Sequence, residues 1–119
     1  MMDGFRSLFA SPEKPCGVGL VLREGTDGSL FIAEVIPDGP AEQAGCLAVG
    51  DVLYEVNGAN VYRVDARRVA AAVLGPEGTR VRLAFKRGAR YADDRPFAVD
   101  LTRRFVHGAG KLELLPASG

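Results

Sequence analysis

Gly17 and Gly19 stand one residue apart in Lys14-Pro15-Cys16-Gly17-Val18-Gly19-Leu20-Val21-Leu22, directly ahead of an apolar run. Glycine weakens a strand interior, so the pair implies backbone that something must approach closely. The chemistry open to such a loop is anion binding. Consecutive amide hydrogens, unobstructed by side chains, can converge on a carboxylate as a small nest. A dinucleotide-binding loop also carries spaced glycines, but it opens a helix, and here a strand follows.

Other chemistries are poorly supplied. His107 is the single histidine and lies in a Gly-rich tail, where it reads as a surface residue. None of Ser7, Ser11, Ser29 and Ser118 sits in a strained strand-to-helix turn. Asp93-Asp94 reads as turn chemistry and not as an acid/base pair. Cys16 and Cys46 are too few for a disulfide framework and too far apart for a CxxC motif. Both read as reduced, small apolar groups, with an exposed reactive thiol at Cys16 as the lesser alternative. The sequence thus implies no catalytic residue, no metal site and no cofactor. It reads as a binding protein and not as an enzyme.

The elements that would position the glycine loop follow from local pattern. Leu20 to Arg23 and Leu30 to Ile36 read as a hairpin across the turn-rich Gly25-Thr26-Asp27-Gly28-Ser29. Pro40 suits the first position of a short helix, and Gly45 suits its left-handed cap. Val52 to Val56 is a strand, Asn57-Gly58 a tight turn, and Asn60 to Tyr62 a short return. Asp65 can cap a second helix with its side chain, and Ala66 to Leu74 is rich in helix formers. Ala66, Ala70 and Val73 share one face of it, with Val69 and Ala72 beside that stripe. Thr79–Lys86 alternates, with Val81, Leu83 and Phe85 inward and Arg80, Arg82 and Lys86 outward. Phe97 to Thr102 alternates again with Phe97, Val99 and Leu101 inward, and 111–115 reads as one more short strand.

One arrangement gives the glycines a role. Leu20–Arg23 forms a sheet edge, the helix beginning at Ala66 lies beside it, and a groove runs between. An extended peptide then adds to that open edge as a strand, and its terminal carboxylate reaches the loop before Leu20.

Gly17-Val18-Gly19-Leu20 resembles the Gly-Φ-Gly-Φ carboxylate-binding loop of PDZ domains. Further segments agree in order: Pro40-Ala41-Glu42-Gln43-Ala44-Gly45, then Gly50-Asp51-Val52-Leu53 with Val56-Asn57-Gly58, then Gly75-Pro76-Glu77-Gly78-Thr79 with Val81 and Leu83. The resemblance covers about residues 16–103. It implies a mainly β (α+β) fold, a PDZ-like partly open antiparallel barrel of five to six strands with two helices. It also implies a module that captures the C-terminal tails of other proteins. The amides of Val18, Gly19 and Leu20 would hold the carboxylate. Main-chain bonds would run along Leu20, Val21, Leu22 and Arg23. Val18, Leu20, Leu22, Ala70 and Val73 would line the pocket for the last ligand side chain. Ala66 occupies the helix-start position that reads the ligand's third-from-last residue. Family members that prefer Ser or Thr there usually carry His, so Ala implies a hydrophobic preference.

The chain departs from many family members before the glycine loop, where Pro12 and Pro15 make a poor strand. The ending Phe97–Arg103 looks more like the permuted PDZ domains of C-terminal processing peptidases, with 97–103 filling the missing strand's place. The domain reading is therefore an N-terminal extension at 1–14, a peptide-binding domain at 15–104 and a C-terminal extension at 105–119. In the extension ahead of the domain, Phe5, Leu8 and Phe9 form one stripe of a short helix.

Composition bounds the partners. Fifteen basic residues balance fifteen acidic ones across the 119-residue chain, which gives no case for nucleic acid. No apolar run approaches the ~20 residues of a membrane span. From Arg63 to Arg104 eleven Lys/Arg face five Asp/Glu. That excess reads as a solvated strand face, with weak binding of anionic lipid or acidic tails as the lesser alternative. Lys14 and Arg23 are close enough in sequence to assist a negative ligand. Without a secretory layout at the N-terminus, the cytoplasm is the expected compartment. The main reading is a scaffold or adaptor module. The alternative is a substrate-recruiting fragment of a larger C-terminal processing protease. Self-assembly through an exposed edge is a third.

Overall fold

The expected hairpin forms from β1 (Leu20–Glu24) and β2 (Leu30–Val35). In the computed structural model, residues 16–87 and 96–104 and the backbone of 113–115 are described. The hairpin turn closes through a Gly25 N–H bond to the Ser29 carbonyl (2.7 Å), while Asp27 Oδ1 accepts from both the amide and the hydroxyl of Ser29. Ser29 is buried in this turn, a structural role.

The short helix α1 (Pro40–Ala44) starts on its proline and ends on Gly45 at φ 78°. Strand β3 (Val52–Val56) leads into β4 (Ala59–Asn60) through Asn57 at φ 53° and Gly58 at φ 84°. Two central residues with positive φ match the tight hairpin turn that Asn-Gly favours. Helix α2 (Ala66–Val73) follows, then β5 (Arg80–Lys86) and β6 (Phe97–Thr102), and finally β7 (Glu113–Leu115).

The sheet order is β6-β5-β3-β2-β1-β7, with β4 paired to β3 outside that path. All pairings are antiparallel except β1 with β7. This is the expected mainly β architecture with two helices. The strand 97–102 pairs β5 from Arg80↔Thr102 through Phe85↔Phe97, as the permuted reading requires. The competing segment 8–14, the 1–14 helix stripe, Lys14, His107 and Asp93-Asp94 lie outside the described residues.

Alternation in β5 seats Val81, Leu83 and Phe85 in the core, and α2 covers the same core through Val69 and Val73. Leu101 is buried beside them, with Phe97 and Val99 packed at the margin. On the outer face, Arg82 forms a bidentate pair with Asp100 (2.9 and 3.1 Å), and Arg80 approaches the same carboxylate at 3.9 Å. Lys86 sits 4.4 Å from the Tyr54 ring centroid, and that ring stacks on Tyr62.

Three expectations fail here. Asp65 precedes α2 but makes no side-chain cap bond. Cys46 is exposed and not packed as an apolar group, whereas Cys16 is buried, which excludes the exposed thiol. Burial, helped by the charge of Glu77, also raises the Cys16 thiol above its ordinary range, so it stays protonated. Most consequential, β1 is not an open edge. Glu113–Leu115 runs parallel to it in the register Val21↔Glu113, Leu22↔Leu114, Arg23↔Leu115.

Candidate peptide-binding site

The glycine loop is held by its carbonyls. The Arg104 N–H donates to the Gly17 carbonyl (3.2 Å), the Ala41 N–H to Val18 (3.0 Å) and the Ile36 N–H to Gly19 (3.0 Å). These donors come from three places: the chain after β6, helix α1 and the chain after β2. Among the described residues, none accepts a bond from the amides of Val18, Gly19 or Leu20. A peptide unit joins the C=O of one residue to the N–H of the next on opposite sides, so anchoring the carbonyls of Gly17, Val18 and Gly19 turns the amides of Val18, Gly19 and Leu20 the other way. Three consecutive donors without partners among the described residues form a cradle for an anion.

Gly19 has a reason to be glycine that lies in the fold itself. Its φ is 79°, and a Cβ there would lie 3.2 Å from Gly39 Cα and 3.4 Å from Pro40 Cδ. Side chains are excluded at this position by the entry of α1 and by the left-handed backbone, before any ligand is considered.

The backbone direction of β1 follows from the bonds at its two ends. Ile36 N–H binds the Gly19 carbonyl, and Gly25 N–H binds Ser29. Alternation between them turns Val21 and Arg23 toward β2 and leaves the polar groups of Leu20, Leu22 and Glu24 facing the outer edge. Val21 and Arg23 therefore turn their backbone polar groups away from the edge on which they were expected, and Glu24, absent from that expectation, turns its own toward it.

Side chains divide the same way. Val18, Leu20 and Leu22 point into the main core with Val69 and Val73, while Val21 packs on the other face with Ile36 and Ala33. Arg23 is half-buried. Ala66 and Ala70 are half-buried and rest against the core. The helix is centred on Val69 and Val73, at 0% and 1% exposure, and not on the Ala66–Ala70–Val73 stripe. Val73 thus belongs to both the core and the stripe. The structure brings Val18, Leu20, Leu22 and Val73 together, with Ala66 and Ala70 at the margin.

The position of α2 depends on Arg103. Its Nε donates to the Val73 carbonyl (2.8 Å) and Nη2 to Ala72 (3.1 Å), satisfying carbonyls that a helix C-terminus leaves unpaired. Nη1 reaches Thr79 Oγ1 (2.9 Å) and the Arg80 carbonyl (3.3 Å). Arg103 is only 8% exposed. Beyond the helix, Gly75 and Cys16 exchange two backbone bonds of 2.7 and 3.0 Å. The exit of α2 is thereby tied to the start of the glycine loop. Sequence reading passed over Arg103 and Arg104 as surface charge. The one available signal was a pair of arginines directly after an alternating strand.

Among the described residues no cluster of His, Cys, Asp or Glu could hold a metal ion. No described helix is long and apolar enough to cross a membrane.

Comparison with known proteins agrees with this geometry. The PDZ domain family matches residues 31–87. The InaD-like protein of Rattus norvegicus is 38% identical over 74 residues, 60% of this chain, and the match spans 4% of that relative's length. The crystal structure of the PDZ domain of a carboxy-terminal protease from Vibrio cholerae, in complex with peptide, superposes with a TM-score of 0.66 at 26% identity. That match covers 75% of this chain and 93% of the other. The photosystem II D1 C-terminal processing protease gives 0.70 at 25% identity, over 82% of this chain and 25% of its own. PDZ domains are non-catalytic modules that bind peptides of partner proteins. The chain carries a PDZ domain of the permuted type, similar to those of C-terminal processing proteases.

Proposed function

We propose that this domain binds the C-terminal tails of other proteins by strand addition to the outer edge of β1. The single observation that carries the reading is the cradle: the carbonyls of Gly17, Val18 and Gly19 are each bonded inward, and no described residue accepts from the amides of Val18, Gly19 and Leu20 in the same peptide units. A terminal carboxylate at Val18, Gly19 and Leu20 fixes the ligand's direction. Its last residue lies at the start of β1, so the ligand runs antiparallel to that strand. Its backbone then meets Leu20, Leu22 and Glu24. Its last side chain enters toward Val18, Leu20, Leu22, Ala70 and Val73, a wholly apolar set. Burying one aliphatic side chain there contributes roughly 1.5–3 kcal/mol. After ordering costs, affinity on the order of micromolar follows.

Ala66, half-buried at the start of α2, offers no side-chain acceptor. A hydrophobic residue at the third-from-last ligand position suits it better than Ser or Thr. The small side chains of Ala66 and Ala70 leave room for bulk.

The reading extends to a second setting because of the likeness to processing proteases. In a longer chain the domain would recruit substrates by their tails while a separate domain performs the cleavage.

The test is a titration with one peptide in two forms, ending in a free carboxylate or an amide. The free acid ending in Leu should bind at least tenfold tighter. Equal affinities would show that recognition is internal and that the cradle is not used.

A further inference from the structure

The edge that a ligand would pair is already paired by the chain itself. Glu113–Leu115 lies against β1 in parallel register, with Leu22 opposite Leu114. The direction is what matters. A ligand whose carboxylate reaches the cradle must run antiparallel to β1. The internal segment runs the other way, with Glu113 opposite Val21 and Leu115 opposite Arg23, so it advances away from Val18 and Gly19. Both strands need the same outward backbone groups, at Leu20, Leu22 and Glu24. They cannot be present together, yet the last paired residue of the internal strand, Leu115, stands opposite Arg23 and not at the anion cradle.

We propose that Glu113–Leu115 is an autoinhibitory strand, which occupies the peptide-binding edge in reverse and must leave before a C-terminal tail can bind. The proposal rests on the peptide-binding reading above. It deepens that reading by assigning the site a built-in competitor.

Magnitudes favour competition over permanent closure. The segment pairs only three residues of β1 and is tethered through residues 105–112. A short tether gives an effective concentration on the order of millimolar, enough to hold a weak strand in place. A ligand adds a carboxylate in the cradle, at the end of β1 away from which the reversed strand runs. It can therefore displace the internal strand at the cost of apparent affinity. If the docked state holds nine-tenths of the molecules, the apparent affinity falls about tenfold.

The test uses the full chain and a double variant, Glu113→Pro with Leu115→Pro. Parallel pairing centred on Leu22 turns the backbone at 113 and 115, and not at 114, toward β1. Proline there removes both donors without touching the domain. Two measurements are made on each protein: amide hydrogen exchange at Leu22 and Glu24 without ligand, and affinity for a peptide ending in Leu with a free carboxylate. The expected result is faster exchange at both amides in the variant and about tenfold tighter peptide binding. Unchanged exchange would overturn the proposal, and so would faster exchange with unchanged affinity. Faster exchange with no peptide binding by either protein would instead sink the peptide-binding reading, and the competition with it.

Discussion

The guanidinium of Arg103 lies so close to Gly75 that a Cβ on the glycine would stand 2.8 Å from Nε and 2.9 Å from Cζ. The contact joins the element after β6 to the exit of α2, and through the Cys16–Gly75 bonds it reaches the glycine loop. One buried arginine therefore bears on the placement of both the end of α2 and the start of the glycine loop.

Gly75→Ala should displace that guanidinium. Overpacking of this kind costs about 1–3 kcal/mol. Urea unfolding should show a lower midpoint with an unchanged slope. Peptide affinity should fall as well, because the displaced group positions α2.

Arg103→Met keeps much of the stem but removes four hydrogen bonds, including those to the Ala72 and Val73 carbonyls. Hydrogen bonds to a charged group contribute about 1.5–3 kcal/mol each at most, and water re-solvates part of the loss. Stability should fall by roughly 2–4 kcal/mol in chemical denaturation. Amide exchange should accelerate first in the last turn of α2. Exchange that accelerates uniformly along the chain would mean Arg103 has no special bearing on the helix.

Gly19→Ala should destabilise the unliganded domain by roughly 1–2 kcal/mol, since φ is 79° and Gly39 Cα lies 3.2 Å from the added carbon. Thermal unfolding without peptide reads this directly. Loss of binding in a Gly19 variant is then expected from the fold and does not by itself locate the carboxylate.

Asp51→Asn should lower the melting temperature and leave peptide affinity unchanged. The Asp51 carboxylate, 1% exposed, accepts two bonds from Arg87 (both 2.8 Å) and one from the Ala48 amide (2.9 Å). The pair closes the loop before β3, away from the groove. Paired melting and titration experiments on the variant separate the two effects.

Two carboxyls titrate below the ordinary carboxylate range. Bonds from the Ser29 hydroxyl and amide lower Asp27, and the Arg82 guanidinium lowers Asp100. A depressed folded value means that each group contributes stability above about pH 4, and that this is lost as the pH falls through the lowered value. Both side chains face solvent, so the effect is modest. Carbon-detected NMR titration should place both midpoints below 3.8, the ordinary value, and Ser29→Ala should move Asp27 back toward it.

Much of the scaffold was legible because its signals are local. Val52–Val56 and Phe97–Thr102 form where apolar alternation places them, and Asn57-Gly58 makes the turn that its positive φ values require. The site was less legible, because its features depend on tertiary neighbours. Helical spacing centres α2 on Ala66, Ala70 and Val73, and only packing in the core with Leu20 and Leu22 makes Val69 the deepest. Arg103 resembles solvated charge until α2 delivers two carbonyls to it. The glycine at 19 answers to Pro40, a contact that spacing along the chain does not announce. Nor does the three-residue stretch Glu113–Leu115 reveal which strand it pairs or in which direction.

The central claim is that the amides of Val18, Gly19 and Leu20 hold a terminal carboxylate. The most direct measurement is an amide-resolved NMR titration of the full chain with a Leu-terminated peptide and with its C-terminal amide. The free acid should shift the amides of Val18, Gly19 and Leu20 most strongly, and the amidated peptide should leave them nearly still. Shifts confined to other amides, or equal shifts from both peptides, would contradict it.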